Sequence, residues 1–135
     1  MGDKSLTILA ADDDLEDLEL IEDAFSSLEP DIALHKVTNG RAVIDYLNNK
    51  SDSDLPCLII LDYNMPELNG SEVLAKISKD KRFERIPKLV LSTSSAPIHI
   101  HECLVNGASE YYVKPNSLRE LESIAKKMLS FCKMN

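Results

Sequence analysis

The sequence predicts an α/β domain: a parallel five-stranded sheet covered by helices on both faces. Two observations predict it. Short apolar runs alternate along the chain with amphipathic segments in which apolar residues recur at spacings of three and four. The inner run Leu58-Ile59-Ile60-Leu61 is apolar at successive positions, as in a strand buried on both faces. Parallel neighbours then require right-handed crossovers through the intervening helices.

Leu6 to Ala11 reads as the first strand and ends in Asp12-Asp13-Asp14. A helix follows, with Leu15, Leu18, Ile21, Ala24, Phe25 and Leu28 on one face, Asp14 as its N-cap and Pro30 closing it. Ile32 to Val37 alternates with polar partners and forms the second strand. Asn39-Gly40 opens a second helix that turns Ala42, Val43, Tyr46 and Leu47 inward. The polar stretch from Asn48 to Asp54 is an exposed loop. Cys57 to Leu61 is the third strand, stopped by Asp62, and Pro66 and Gly70 hold a loop before a third helix from about Ser71 to Ser78. Asp80 to Arg85 reads as charged and solvated. Lys88 to Leu91 is the fourth strand, ending in Ser92-Thr93-Ser94-Ser95. Pro97 suits the first turn of a fourth helix, which Gly107 stops. Ser109 to Val113 is the fifth strand and ends in Lys114-Pro115. Ser117 and Glu120 have capping-box spacing for a last helix with Leu118, Leu121, Ala125, Met128, Leu129 and Cys132 inward.

The 135 residues hold one domain, 1–135, with no repeat and no output domain. A net charge of −8 and a pI near 4.8 oppose a broad nucleic-acid surface and binding to an anionic membrane. No run approaches the roughly 20 apolar residues of a membrane span, and the first residues lack a signal-peptide core, so a cytoplasmic protein is expected. Cys57, Cys103 and Cys132 lie on apolar patterns without metal-ligand spacing and are expected as reduced core thiols. His35, His99 and His101 show no partner pattern. Phe131 lies off the inward stripe of the last helix, either an anchor for a partner or a local packing residue.

Residues able to do chemistry fall at the strand ends. Strand one supplies Asp12 and Asp13, strand three Asp62, strand four Ser92 and strand five Lys114. In a parallel sheet these ends share one edge, outside which ligands bind. Clustered carboxylates repel one another unless a cation joins them, and an incomplete oxygen ligand set suits Mg²⁺. Lys114 offers a point charge and Ser92 a hydroxyl donor to a phosphoryl group, whose transfer needs mainly positioning and neutralisation. Asp62 is the expected acceptor.

The acidic pair after strand one, the run Leu61-Asp62-Tyr63-Asn64-Met65-Pro66-Glu67-Leu68-Asn69-Gly70, the hydroxyl ending strand four and Tyr111-Tyr112-Val113-Lys114-Pro115 together resemble the receiver domain of two-component response regulators, over roughly Leu6 to Cys132. The resemblance implies a flavodoxin-like (βα)5 sandwich, strand order 2-1-3-4-5. It implies that Asp62 is phosphorylated, that Asp13, Asp62 and the Asn64 carbonyl ligate Mg²⁺ with Asp12 acting through water, and that Lys114 pairs with the phosphate. Ser92 and Tyr111 match the switch residues, Asn64 and Ser94 the positions that tune dephosphorylation, and Pro115 follows a bond that is usually cis. Among receivers the chain looks most like the stand-alone group serving phytochrome-type and hybrid kinases. Ala10-Ala11 departs from the family's larger aliphatics.

The implied function is that of a stand-alone response regulator rather than an enzyme. A histidine kinase or histidine phosphotransfer protein donates to Asp62, and the surface of helix four, strand five and helix five changes for a downstream partner or for homodimerisation. Two competitors are weaker. A Mg²⁺-dependent aspartyl-phosphate phosphohydrolase would usually carry a second acid at position 64, which is Asn64 here, and a cap region. A flavodoxin-like electron carrier would meet its cofactor's phosphate with Asp12-Asp13-Asp14, which repels it.

Overall fold

The computed structural model describes residues 6–132. Five parallel strands lie in the order β2-β1-β3-β4-β5. They are β1 (Thr7–Ala11), β2 (Ala33–Val37), β3 (Leu58–Leu61), β4 (Lys88–Ser92) and β5 (Glu110–Val113). The helices are α1 (Leu15–Leu28), α2 (Gly40–Asn48), α3 (Gly70–Ile77), α4 (Pro97–Val105) and α5 (Leu118–Cys132). The expected flavodoxin-like sandwich is the one observed.

Side chains alternate across a strand, so each inner strand feeds two cores. Ile8, Ala10, Leu58, Ile60, Leu89 and Leu91 point to the face covered by α1 and α5. Leu9, Ala11, Ile59, Leu61 and Val90 point to the face carrying α2, α3 and the end of α4. Ala10 and Ala11, the departure noted in the sequence, are buried one in each core. Phe131 packs against the first core, which settles it as a local packing residue.

Helix starts follow the capping chemistry. Asp14 accepts from the Glu16 and Asp17 amides, and Asn39 from the Ala42 amide. Asn69 and Glu72 form a reciprocal capping box that starts α3 one residue earlier than the apolar pattern indicates. The loop between Asp62 and α3 turns sharply at Glu67, whose φ is 73°, with the Leu68 amide donating to the Pro66 carbonyl at 2.8 Å. A side chain in this left-handed region is strained. Glu67→Gly should therefore stabilise the protein by about 0.5–1 kcal/mol, the relieved strain less glycine's entropy in the unfolded chain. Denaturant unfolding would read it as a raised midpoint at unchanged slope.

Several expectations change. Leu15 and Leu118, expected on the inward faces of the first and last helices, are exposed, because each opens its helix at the rim of the sheet. Cys57 and Cys132 form a disulfide, leaving Cys103 as the free, buried thiol among the described residues. The two sulfurs are 75 residues apart in sequence, but α5 returns along the sheet to the edge where β3 begins, bringing their Cα atoms to 5.1 Å. The stretch from Asp80 to Arg85 is not simply solvated: Lys81–Phe83 form a 3-10 turn that buries Phe83, and Arg82 pairs with Asp52 at 2.7 Å. Phe83 packs into the second core, and the Arg82 guanidinium lies over its ring, 5.3 Å from the centroid. The Lys114–Pro115 bond is trans. No helix among the described residues is long and apolar enough to cross a membrane.

Candidate functional site

The strand order reverses between β1 and β3, and the C-terminal ends of these two strands open a crevice. Their parallel register sets Ala11 beside Leu61, so the residues that follow, Asp12 and Asp62, stand side by side. The Asp62 amide donates to the Ala11 carbonyl at 3.0 Å, and the Asp12 amide to the Val37 carbonyl at 3.1 Å. Backbone pairing thus fixes both carboxylates before their side chains make any contact. Asp12 and Asp62 are buried and Asp13 is exposed at the rim. Carboxylate oxygens of all three fall within 4.8 Å of one another.

Lys114 enters from the end of β5 and is held among these groups. Its Nζ lies 2.6 Å from Asp12 Oδ2, 2.7 Å from Asp17 Oδ2 and 3.6 Å from Asp62 Oδ2. Burial works against its charge, but its hydrogen bonds to Asp12 and Asp17 outweigh that and hold its pKa above the ordinary value. Burial pushes the Asp12 carboxyl up to about 6, against the lowering effect of Lys114 and of the Asp14 amide, while the Asp62 charge raises it further. The Asp62 Oδ1 atom is buried and accepts no hydrogen bond among the described residues. A buried, unsatisfied carboxylate oxygen beside two further carboxylates fits a hard cation with oxygen ligands.

That fit carries a pH dependence. A cation binds the ionised carboxylate, so below pH about 6 it must displace the Asp12 proton. Mg²⁺ affinity should hold steady above this value and fall about tenfold per unit below it. Titration calorimetry at pH 6 in buffers of differing ionisation enthalpy should show about half a proton released on binding, since Asp12 is then half protonated.

Ser92 ends β4 fully buried, its Oγ accepting from the Ser94 amide at 3.2 Å. Tyr111 lies half-buried against the second core and its hydroxyl donates to the Ser94 carbonyl at 2.8 Å. Burial pushes its phenol up, and hydrogen bonds to Ser92 and Ser94 partly offset this. Asn64 is exposed in the loop beyond Asp62. The structure therefore gathers Asp12, Asp13, Asp62 and Lys114 into one cluster, and links Ser92, Ser94 and Tyr111 through the β4–α4 loop.

Three residues of this neighbourhood escaped sequence reasoning. Asp17 reads as an exposed residue of the first helical turn, yet it shares Lys114 with Asp12. His99 binds Ser94 Oγ through Nδ1 at 2.6 Å and stacks on Tyr63 with ring centroids 4.0 Å apart. Glu102, one turn along α4, accepts from the Tyr63 hydroxyl at 2.7 Å, and burial first, then this carboxylate, pushes that phenol up to about 12. The spacing of His99 and Glu102 on one helical face was the available signal.

Fold and crevice together define a doubly wound α/β domain with a carboxylate and lysine site at its switch point. The chain belongs to the response regulator receiver domain family, whose model matches residues 8–126. Receiver domains of two-component response regulators accept a phosphoryl group on an aspartate and interact with histidine kinases and downstream partners. Among curated relatives, the two-component response regulator ARR16 of Arabidopsis thaliana is 32% identical over 135 residues, covering 90% of this chain and 79% of the relative. Among solved structures, the phosphorylated cyanobacterial phytochrome response regulator RcpA is 30% identical with a TM-score of 0.87, covering 97% of this chain and 96% of that one. The Mn(2+)-bound form of the response regulator Rcp1 is 28% identical with a TM-score of 0.81, covering 93% of each chain. The likeness to phytochrome-type stand-alone receivers is thereby supported.

Proposed function

We propose that Asp62 is the phosphoryl acceptor and that the protein is a stand-alone response regulator. One observation carries this reading: Asp62 Oδ1 is buried without a hydrogen-bond partner among the described residues, while its other oxygen faces Lys114 at 3.6 Å. A carboxylate oxygen left unsolvated and unbonded is poised as a nucleophile. In the transfer, Asp62 Oδ1 forms a bond to phosphorus as the phosphorus–nitrogen bond of a kinase or phosphotransfer phosphohistidine breaks, and the electron pair returns to the donor imidazole. Asp12, Asp13, Asp62 and the Asn64 carbonyl would hold Mg²⁺, which when bound supplies charge neutralisation to the phosphoryl oxygens.

The protein's residues account for the rest. Lys114 turns from Asp17 toward the new anion, and the Ser92 hydroxyl, whose Oγ accepts from the Ser94 amide, turns from Tyr111 to donate to a phosphoryl oxygen. Movement of Ser92 draws the β4–α4 loop, and Tyr111 follows through its bond to the Ser94 carbonyl. The phosphoryl group makes contacts only one conformer satisfies, so the effect is a shift of populations. The affected surface, α4, β5 and α5, exposes Ile98, Val105, Val113 and Leu118, which a downstream partner or a second copy would cover. Asn64 and Ser94 tune the lifetime of the phosphate. The chain's own catalysis is confined to acquiring and losing this group, in the cytoplasm where phosphohistidine donors act.

Incubation with acetyl phosphate and phosphorylated kinases, followed by intact-mass measurement, tests the proposal. A gain of one phosphoryl group that requires Mg²⁺, mapped to Asp62, is expected. No gain from any donor, or catalytic release of phosphate from monoesters, would overturn it.

A further inference from the structure

At the opposite edge of the sheet from the carboxylate crevice lies a cavity of about 590 Å³. Its floor is Leu55, Pro56, Cys57 and Ile86, and its wall carries Lys81, Arg82 and Arg85. Arg82 is neutralised by Asp52. Lys81 and Arg85 form no ion pair among the described residues, although the chain has a net charge of −8 and carboxylates are plentiful. Two cations without an ion pair among the described residues therefore border a cavity that a disulfide cysteine, Cys57, also lines, together with the Arg82 partner Asp52. The two cysteines of that bridge are unequal: Cys57 is a half-buried residue that lines the cavity, whereas Cys132 is 3% exposed.

We propose that this cavity is a thiol-exchange site, at which a small anionic thiol docks against Lys81 and Arg85 and reacts with Cys57. The incoming thiolate bonds to Cys57 Sγ. The Cys57–Cys132 bond breaks, and its electron pair leaves on Cys132 sulfur, which takes a proton from solvent. A second thiolate attacks the small-molecule sulfur of the mixed disulfide. It releases the oxidised small-molecule disulfide and leaves Cys57 as a thiol. Two small thiols are oxidised and one protein disulfide is reduced, and the same steps run backwards close the bridge again.

Cationic neighbours assist on two counts. They concentrate the anionic reagent, and they stabilise the thiolate that attacks. Opening the bond frees the last turn of α5 from the start of β3, because Cys132 is the final residue of that helix. Cys103 serves as an internal control: it is fully buried away from the cavity, and burial pushes its thiol up to about 11.

The experiment compares three thiols on the oxidised full-length protein at low ionic strength: glutathione, 2-mercaptoethanol and cysteamine, which are anionic, neutral and cationic. Each rate is divided by the rate of the same thiol on a neutral unstructured peptide disulfide. Glutathione should be favoured about tenfold over 2-mercaptoethanol, with cysteamine slowest. High salt, or the double substitution Lys81→Gln and Arg85→Gln at exposed positions, should remove the preference, and mass spectrometry should find the transient adduct on Cys57. Equal corrected rates would overturn the proposal. So would a preference that survives the double substitution, or alkylation showing Cys57 and Cys132 both free in air-oxidised protein.

Discussion

Lys114→Ala should destabilise the cation-free protein at pH 7 by about 3 kcal/mol or more, because removing one partner leaves buried charge uncompensated. Lys114 Nζ is the ion-pair partner shared by Asp12 and Asp17, with Asp62 3.6 Å away, so its loss exposes three carboxylates to one another. The loss should shrink at low pH, and the sign follows from Asp12. Its folded pKa, about 6, lies above the ordinary 3.8, so the folded state holds a proton that the unfolded state has lost between these values. This group's contribution is greatest below pH 4, falls as pH rises toward 6 and is flat above. Without Lys114 the carboxyl is raised further, so the variant approaches wild-type stability near pH 5 and departs from it at pH 7. Millimolar Mg²⁺ should restore much of the deficit by occupying the same negative potential, at a gain set by mass action. Urea unfolding across this pH range, with and without Mg²⁺, checks all three statements. A deficit independent of both pH and Mg²⁺ would mean that the lysine acts only by packing its stem.

Asp62→Asn should abolish phosphoryl labelling altogether while leaving the fold more stable than wild type. The amide is isosteric, so the backbone bond from position 62 to Ala11 remains. What disappears is the nucleophilic oxygen and one of the charges that raises the Asp12 pKa. Relief of a buried like-charge contact is worth about 1 kcal/mol, and Asp12 should titrate closer to its ordinary value. Phosphorylation by mass and stability by urea unfolding are separate readouts, so one preparation tests both. Labelling that persists undiminished in this variant would assign the acceptor elsewhere.

The strands and most helices were readable because each obeys a single local rule. Leu58 to Leu61 is apolar at every position because both faces of the sheet are covered, and Asp14 and Asn39 sit where a cap is needed. The carboxylates and Lys114 were readable because a parallel sheet delivers every strand end to one edge, so position along the chain implies proximity in space. What escaped was decided by tertiary approach. The Cys57–Cys132 bond joins the start of one strand to the end of a helix 75 residues later, and apolar surroundings describe a disulfide and a buried thiol equally well. Phe83 lies inside a run of charges that made the segment look solvated. Lys88 opens β4 as an ordinary lysine would, yet it is buried with its Nζ donating to the Phe83 carbonyl at 2.5 Å, and burial lowers its pKa. Asp17 and His99 acquire roles only once β5 and the β4–α4 loop are placed against them.

The pairing of α1 with α5 has a consequence for the order in which the molecule can be made. One core of the sheet is roofed by the first helix and the last, and Leu121, Ala125, Met128 and Leu129 of α5 complete the same cluster as Leu18, Ile21 and Phe25 of α1. During synthesis that face stays only half covered until α5 has emerged. The other face, roofed by α2, α3 and α4, can close earlier. Pairing of the first helix with the last is thus a late event of high sequence separation, and the nascent chain carries a half-covered apolar sheet face until nearly the whole domain is available.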